Sequence, residues 1–568
     1  MLQFDFPDCG LLVHVRTHYD QKDRCAAVPG GRWVPRLRAW EYALSPATAA
    51  SLLQVFDQKI TPDVRARLAP LAARLVTAQQ AKAGELDLEN PVTVNPPWHH
   101  QLVSYNMMRQ LFALDDASPS GGGALLGLDM GCGKSKCTVD LISNHRDKIN
   151  KVLIVCPASV IDVWCGNEDR PGQFEIHATP DAYRHMNIVP VKNGSLDKKT
   201  KKAELVRMIA AQRGDQFIAV INYESAWREP FASWAKAVGF DLVVLDEIHR
   251  IKSPGGKASK FFGMLAKSVK YRLGLSGTPL PHSPLDAFAQ YRFLDPGIFG
   301  TSFTKFRSDY AVMGGFQNHQ VLQYRNHDML HNKMFLIAHR VMSKDVFDLP
   351  EFQSEMRVCE LSSDERKIYQ QMDQEFYAEV ANDIVTADNA LVKLLRLQEI
   401  TSGFLQGEKI GDSKKKLLAD VMEDFEIKEP LVVIARFTND LKVVKEIAES
   451  QGRRYAELSG HANDLSQWQI GNYDVLGVQI KSGREGVDFT RARYSIYYSL
   501  GFSLGDYAQS LKRLDRPGQT RSGMAIHLLA KDSVDFKVMQ ALERNQEVVT
   551  SVLEQYKNAA PVTTKRAA

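Results

Sequence analysis

The run Ala124–Leu128 (ALLGL) leads through Asp129 and Met130 into Gly131-Cys132-Gly133-Lys134-Ser135, and no other stretch restricts the possible folds as strongly. A short, wholly apolar strand that ends in a glycine turn and passes into a helix belongs in a parallel sheet covered on both faces. The same turn carries chemistry. Two glycines let backbone N–H groups face a phosphate chain, Lys134 can reach the β- and γ-phosphates, and the Ser135 hydroxyl can ligate Mg²⁺. The helix that follows offers its positive N-terminus to the same anion. The strict phosphate-loop pattern places a further glycine at position 128, where this chain has Leu128. Taken alone, the glycines also suit an ordinary strand-to-helix turn.

A second segment weighs against that plainer reading. Leu242–Leu245 is another apolar strand, and it ends in the adjacent carboxylates Asp246 and Glu247. Asp246 would hold the Mg²⁺, while Glu247 would orient or deprotonate the attacking water. By itself the acidic pair suits a solvated loop equally well. Both segments in this order, each on its own strand, predict a chain that hydrolyses a nucleoside triphosphate.

With 568 residues the chain is too long for one core, and three to four domains are expected. A hydrophobic content of 44% and a charged content of 24% suit a soluble protein. No apolar run approaches the ~20 residues that span a bilayer. The start, MLQFDFPDCG, has no basic region ahead of an apolar one, so a secretory signal is not expected. Seven scattered cysteines without C-x-x-C spacing point to a reducing, cytoplasmic setting and away from zinc. Cys132 lies within the phosphate loop, where its oxidation would disturb nucleotide binding. A net charge of +4 permits nucleic-acid binding without requiring it.

The expected organisation is α/β. Residues 1–88 read as a small α+β domain, with strands at Leu11–Val15 and Arg38–Leu44 and a helix capped by Ser45. Residues 89–300 alternate strands (124–128, 151–156, 217–222, 241–246, 271–276) with helices, as in a parallel-sheet lobe. Residues 301–412 show few strand signals and read as helical insertions and a linker. Residues 413–557 return to strands at 430–437, 474–480, 494–500 and 523–529 and form a second lobe. The tail 558–568 is small and polar and is expected to be disordered.

Near the end of the second lobe, QSLKRLDRPGQ (509–519) puts Arg513 and Arg516 on one helical face. Arginines brought to a γ-phosphate stabilise the charge of phosphoryl transfer. Two arginines alone are more often a solvated basic helix.

The ordered set of segments resembles the Swi/Snf-type double-stranded DNA translocases of helicase superfamily two. LGLDMGCGKS is similar to that family's A-D-E-M-G-L-G-K-T, and DEIHRIKSPGGKASK to its D-E-A-H-R-I-K-N-x-x-S-K. The resemblance covers residues 95–540 and implies two RecA-like lobes with ATP and Mg²⁺ at Lys134, Ser135, Asp246 and Glu247, completed by Arg513 and Arg516. It makes Gln101, in WHHQLVSYNMM, the adenine reader beside Gly131, Cys132 and Gly133. Pro157 and Ser159 in VLIVCPASVIDVW, Tyr223 in VINYESAW and Thr278 in LSGTPLPHSP then fall at DNA contacts. SGREGVDFTRA brings Ser482 to DNA and Gly486 and Asp488 to the nucleotide. Departures occur at His282, where the family has asparagine, and at Phe502–Leu504, where it has W-N-P. Residues 1–88 resemble the small domain of the annealing-helicase branch through Trp33 and Trp40, although two core tryptophans would give the same pattern.

The resemblance implies a DNA-dependent ATPase that translocates on double-stranded or forked DNA and remodels it without processive unwinding. A monomer serving replication, recombination or repair in a bacterium or virus is expected, with no membrane involvement. The alternatives are a motor displacing RNA polymerase, an RNA-directed helicase, and a DNA clamp with a degenerate ATPase. Among other residues, Lys198–Lys202 suits a solvated helix start. Lys414–Lys416 suits a basic linker, Arg250 and Lys252 suit pairing with the opposite lobe, Met107 and Met108 suit core, and His249 suits a link between hydrolysis and DNA.

Overall fold

The computed structural model describes residues 2–7, 11–115, 121–168, 170–280, 283–314, 320–347, 352–381, 387–480, 487–515, 519 and 521–544. The chain divides into two units, Met1–Val346 and Phe347–Ala568.

The first unit begins with four short strands, β1 (Gln3–Asp5), β2 (Leu12–Arg16), β3 (Arg32–Val34) and β4 (Ala39–Ala43). They pair antiparallel in the order β1-β2-β4-β3. The helix Pro46–Phe56 follows, and its cap is the one expected: the Ser45 hydroxyl accepts from Thr48 N–H at 3.1 Å. Alternation on β2 and β4 sends Val13, Val15 and Tyr42 into a small core with Leu52, Phe56 and Leu68. Trp33 stays 46% exposed, edge-on to Trp40 with ring centroids 6.0 Å apart, so the pair is not a closed core. Residues 1–88 are tied to the sheet that follows. Ser45 Oγ donates to buried Asp295 at 2.7 Å, and Gln79 and Lys82 donate to the backbone carbonyls of Leu336 (2.9 Å) and Phe335 (2.6 Å).

Next come β5 (Gly122–Leu128), β6 (Lys151–Cys156), β7 (Met186–Pro190), β8 (Gln216–Asn222), β9 (Leu242–Asp246) and β10 (Tyr271–Leu275). A hairpin of β11 (Ala311–Gly314) and β12 (Gln320–Tyr324) precedes β13 (Ala338–Val341). Seven strands form one sheet ordered β13-β5-β10-β9-β6-β8-β7, parallel throughout. Its inner strands are buried along their length because helices cover both faces, which is why they read as unbroken apolar runs.

The second unit holds β14 (Phe352–Cys359), a two-residue-per-strand hairpin of β15 (Phe404–Leu405) and β16 (Glu408–Lys409), and then β17 (Leu431–Ala435), β18 (Tyr455–Leu458), β19 (Val475–Gln479), β20 (Tyr494–Tyr497) and β21 (Gly523–Ala530). Six of these strands form a second parallel sheet, β14-β21-β20-β17-β19-β18. The two-sheet α/β expectation is met. Residues 301–412 differ from their expected helical character: β13 enters the first sheet and β14 the second, and the helices Ser363–Ala381 and Ala387–Thr401 belong to the second unit. Among the described residues no helix is long and apolar enough to cross a membrane.

Candidate functional site

β5 ends at Leu128, and the helix Lys134–Asn144 begins six residues later with Gly133 as its cap. Gly131 and Gly133 both adopt left-handed backbone, at φ +79° and +86°. At Gly133 the requirement is doubled, because a Cβ there would lie 2.2 Å from Gln101 Nε2. Gln101, on the helix His99–Phe112, is held at both ends. Its Nε2 donates to the Cys132 carbonyl at 3.2 Å, and its Oε1 accepts from Trp98 N–H at 3.0 Å. His100 Nε2 lies 2.9 Å from the same carbonyl and must be the donor, since that oxygen can only accept. Burial lowers the His100 pKa, which favours the neutral ring.

The Lys134 ammonium donates to two carbonyls of its own loop, Leu128 at 2.8 Å and Asp129 at 3.3 Å. Phosphate oxygens offer charged acceptors in place of neutral ones, so the loop suits a polyphosphate. Beneath it, Asp129 Oδ2 accepts from the Ser343 N–H at 3.1 Å, with the Ser343 hydroxyl at 3.4 Å. The Asp129 N–H donates to the Val341 carbonyl at 2.9 Å. Cys132 is fully buried, its sulfur 3.7 Å from Ser343 Oγ, so the thiol faces inward, away from oxidants.

On β9, Asp246 is 8% exposed, and Trp164 Nε1 donates to its Oδ2 at 3.0 Å. Glu247 turns into left-handed backbone at φ +56°. For a glutamate this conformation costs roughly 1–2 kcal/mol. The turn sets its carboxylate 3.4 Å from Ser276 Oγ and 3.3 Å from His249 Nδ1, and those two atoms are 3.0 Å apart. Ser276 Oγ also accepts from Thr278 N–H at 3.1 Å. A polar chain therefore joins the acidic loop to the Ser276–Pro279 segment. Register brings everything to one rim: Leu275 of β10 stands between Leu126 of β5 and Asp246 of β9. At the usual strand spacing the two loops leave the sheet about 10 Å apart.

Pro157 and Ser159 leave the same rim after β6, Pro157 buried and Ser159 exposed. Thr278 is half-buried, and its Oγ1 has no hydrogen-bond partner among the described residues. Tyr223, expected at the DNA surface, is instead only 4% exposed, and its hydroxyl donates to the Asp246 carbonyl at 2.9 Å. Burial drives its pKa far up, and the side chain supports the acidic loop from behind. Arg250 pairs with Glu224 of its own unit at 3.2 Å. Lys414 is no linker cation: it is buried 1% exposed in the helix Ser413–Glu423 and ion-paired with Asp535. Lys198 and Lys199 lie in the first turn of the helix Leu196–Arg213, where Asp197 pairs with Lys201 at 2.9 Å. Met107 and Met108 are fully buried.

In the second unit Arg513 is 6% exposed. Its Nη1 donates to the Val487 carbonyl at 3.1 Å, and its own carbonyl accepts from Phe489 N–H at 3.2 Å. Asp488 Oδ1 caps the next turn through Thr490 N–H at 2.8 Å. The 487–489 segment and the arginine segment are thus joined. Ser482, Gly486, Arg516 and His282 lie outside the described residues.

Trp164, Ser276, Asp129 and Ser343 escaped the sequence reading. The first three sit inside recognised segments; Ser343 has no local signal at all, because its partners lie more than 210 positions earlier.

The pattern of the SNF2-related domain family matches residues 46–404. An uncharacterized ATP-dependent helicase of Mycoplasma pneumoniae is 23% identical over 449 residues, 76% of this chain and 40% of that protein. The chromodomain-helicase-DNA-binding protein 1-like of Danio rerio is 23% identical over 460 residues, 76% of this chain and 42% of that one. The human DNA repair and recombination protein RAD54B is 20% identical over 517 residues, 76% and 52% respectively. The chain therefore spans about two-fifths to half the length of these relatives.

Proposed function

Because this chain belongs to the SNF2-related domain family, we propose that it hydrolyses ATP and uses the cycle to translocate on double-stranded DNA, remodelling forks or annealing strands. The observation that carries the reading is the common rim of β5, β10 and β9. There a phosphate loop with a lysine, a buried aspartate and a strained glutamate emerge side by side.

The backbone at Gly131, Cys132 and Gly133 and the Lys134 ammonium take the phosphates. Gln101, locked between Trp98 and Cys132, is proposed to read the adenine. Ser135 and Asp246 are the residues suited to hold Mg²⁺, which when bound neutralises phosphate charge. Trp164 fixes the Asp246 carboxylate by its hydrogen bond. Glu247, aimed by its backbone turn and by Ser276 and His249, orients and deprotonates the attacking water. His249 and Ser276 carry a change at Glu247 to Thr278. Arg513 and Arg516 are proposed to stabilise the charge of hydrolysis, with Gly486 and Asp488 on the nucleotide. Pro157, Ser159, Thr278 and Ser482 are proposed to meet the DNA backbone, so specificity for sequence is slight and salt dependence strong. The names of the zebrafish and human relatives, a DNA-binding protein and a DNA repair and recombination protein, support a DNA substrate. Action as a monomer in replication, recombination or repair belongs to the same proposal.

The test is the ATPase rate without nucleic acid and then with single-stranded DNA, duplex DNA, forked DNA and duplex RNA. Strong stimulation by duplex or forked DNA is expected. Stimulation by RNA alone would leave an RNA-directed helicase as the correct reading, and none by any polymer would leave an ATPase without a motor.

A further inference from the structure

At the amino-terminal edge of the first sheet, away from the nucleotide rim, lies a cavity of about 430 Å³. It separates β2 and β4 of the N-terminal sheet from the helix Lys257–Leu265 and the loop leading into β10. Its walls are apolar, with Leu12 and Leu44 on one side and Met264 and Val269 on the other. Met264 is 54% exposed.

The charge lining this well is mostly positive, with Arg32, Lys260, Lys267, Arg272 and Arg292 set against Glu41. Lys260, Lys267, Arg272 and Arg292 form no ion pair among the described residues. Arg272 is 5% exposed; it donates to the Ala266 carbonyl at 3.3 Å, and its buried Nε has no hydrogen-bond partner among the described residues. Arg292 holds the Pro254 carbonyl and Ser259 Oγ at 3.0 and 2.8 Å, and its Nε is likewise buried without such a partner. Both Nε atoms are enclosed by protein, and Arg272 lies in the field of the buried Asp295 carboxylate. The single lining carboxylate, Glu41, is already engaged by Arg32 at 2.7 Å and lies 3.4 Å from His14.

We propose that this cavity docks an acidic peptide segment of a partner protein, which inserts a large apolar side chain between β4 and the helix Lys257–Leu265. The flanking carboxylates of that segment meet Lys267, Lys260 and Arg292. The apolar walls supply an anchor pocket of ordinary ligand-site size, and the cationic rim selects for acidic flanks. A duplex backbone does not fit the same features, because phosphates track open polar grooves and gain nothing from a recessed apolar well. The inference does not depend on the ATPase reading, since no residue of the nucleotide rim lines the cavity.

The experiment is fluorescence anisotropy of a fluorescein-labelled peptide of six aspartates around a central phenylalanine–leucine pair, titrated with the full chain. Saturable binding is expected, weakened about tenfold when asparagines replace the aspartates and about tenfold by Lys267→Glu or by Met264→Asp. Both side chains are exposed, so melting temperature and basal ATPase should stay as in wild type. The proposal is overturned if no saturation occurs by about 1 mM protein, a vanishing affinity for a specific site. Equal binding of the asparagine peptide, or binding insensitive to both substitutions, overturns it as well.

Discussion

Gly133→Ala tests the phosphate loop at the point where geometry makes the strongest demand. The native φ of +86° lies in left-handed space. Any Cβ-bearing residue there is strained by about 1–2 kcal/mol. The new methyl would also stand 2.2 Å from Gln101 Nε2 and 3.0 Å from its Cδ, so the glutamine must leave. Its bonds to the Cys132 carbonyl and from the Trp98 N–H go with it. At about 0.5–1.5 kcal/mol each they bring the total to about 2–5 kcal/mol. A loop that relaxes to escape the strain must be restored on binding, so the cost appears in ATP affinity. At 1.4 kcal/mol per decade the loss is about 30-fold or more. Titration with a non-hydrolysable ATP analogue measures it, and a melting curve shows whether the fold survives. Placing the same change in a Gln101→Ala background removes the clash and leaves only the backbone strain. There Gly133→Ala should cost about 1–3 kcal/mol less, a coupling that a double-mutant cycle resolves. Binding within twofold of wild type, or identical losses in both backgrounds, would show that Gln101 does not pack against the loop as described.

Glu247→Gln is expected to lower kcat about 100-fold or more while leaving the KM for ATP near wild type, since the amide keeps the contacts but cannot take a proton; steady-state kinetics decide, and an unchanged kcat rules Glu247 out as the base. Ser343→Ala removes the hydroxyl under Asp129 and Met130 and should raise the KM for ATP about three- to tenfold with kcat little changed, in keeping with a lost hydrogen bond. Lys414→Met leaves the Asp535 carboxylate buried without its cation, and should destabilise the second unit by about 3–5 kcal/mol in chemical denaturation. Burial holds the His527 pKa down at about 4, against an ordinary 6.5. The folded ring therefore stays neutral where the unfolded one takes a proton, so the stability it contributes is complete above pH 6.5 and is lost as pH falls toward 4. The loss totals roughly 3 kcal/mol. His527→Gln should show a smaller drop in melting temperature between pH 7.5 and 5 than wild type does.

The strands separate into two classes by how they read in the sequence. Each interior strand of both sheets was expected: β5, β6, β8, β9 and β10 in the first, β17, β19, β20 and β21 in the second. All are buried on both faces, so each must be an apolar run, and that demand is local. The four edge strands, β7, β13, β14 and β18, were not expected. Their half-exposed patterns, as in Ala-His-Arg-Val of β13 or the alternating β14, lack that signature. What holds them is backbone pairing to a neighbour far along the chain, and backbone groups are the same in every residue.

The site divides along the same line. Glycine loop, lysine and serine are contiguous, as are the two carboxylates, and the two segments taken together mark Lys134, Ser135, Asp246 and Glu247 as candidates in one dimension. Folding then chose their supports. It set Trp164 on Asp246, turned Tyr223 inward, and brought Ser343 under the phosphate loop as a direct result of adding β13 to the sheet edge beside β5. Contacts of that kind depend on which strand pairs with which, a choice made by the burial of the whole sheet and not by any residue's neighbours in the chain.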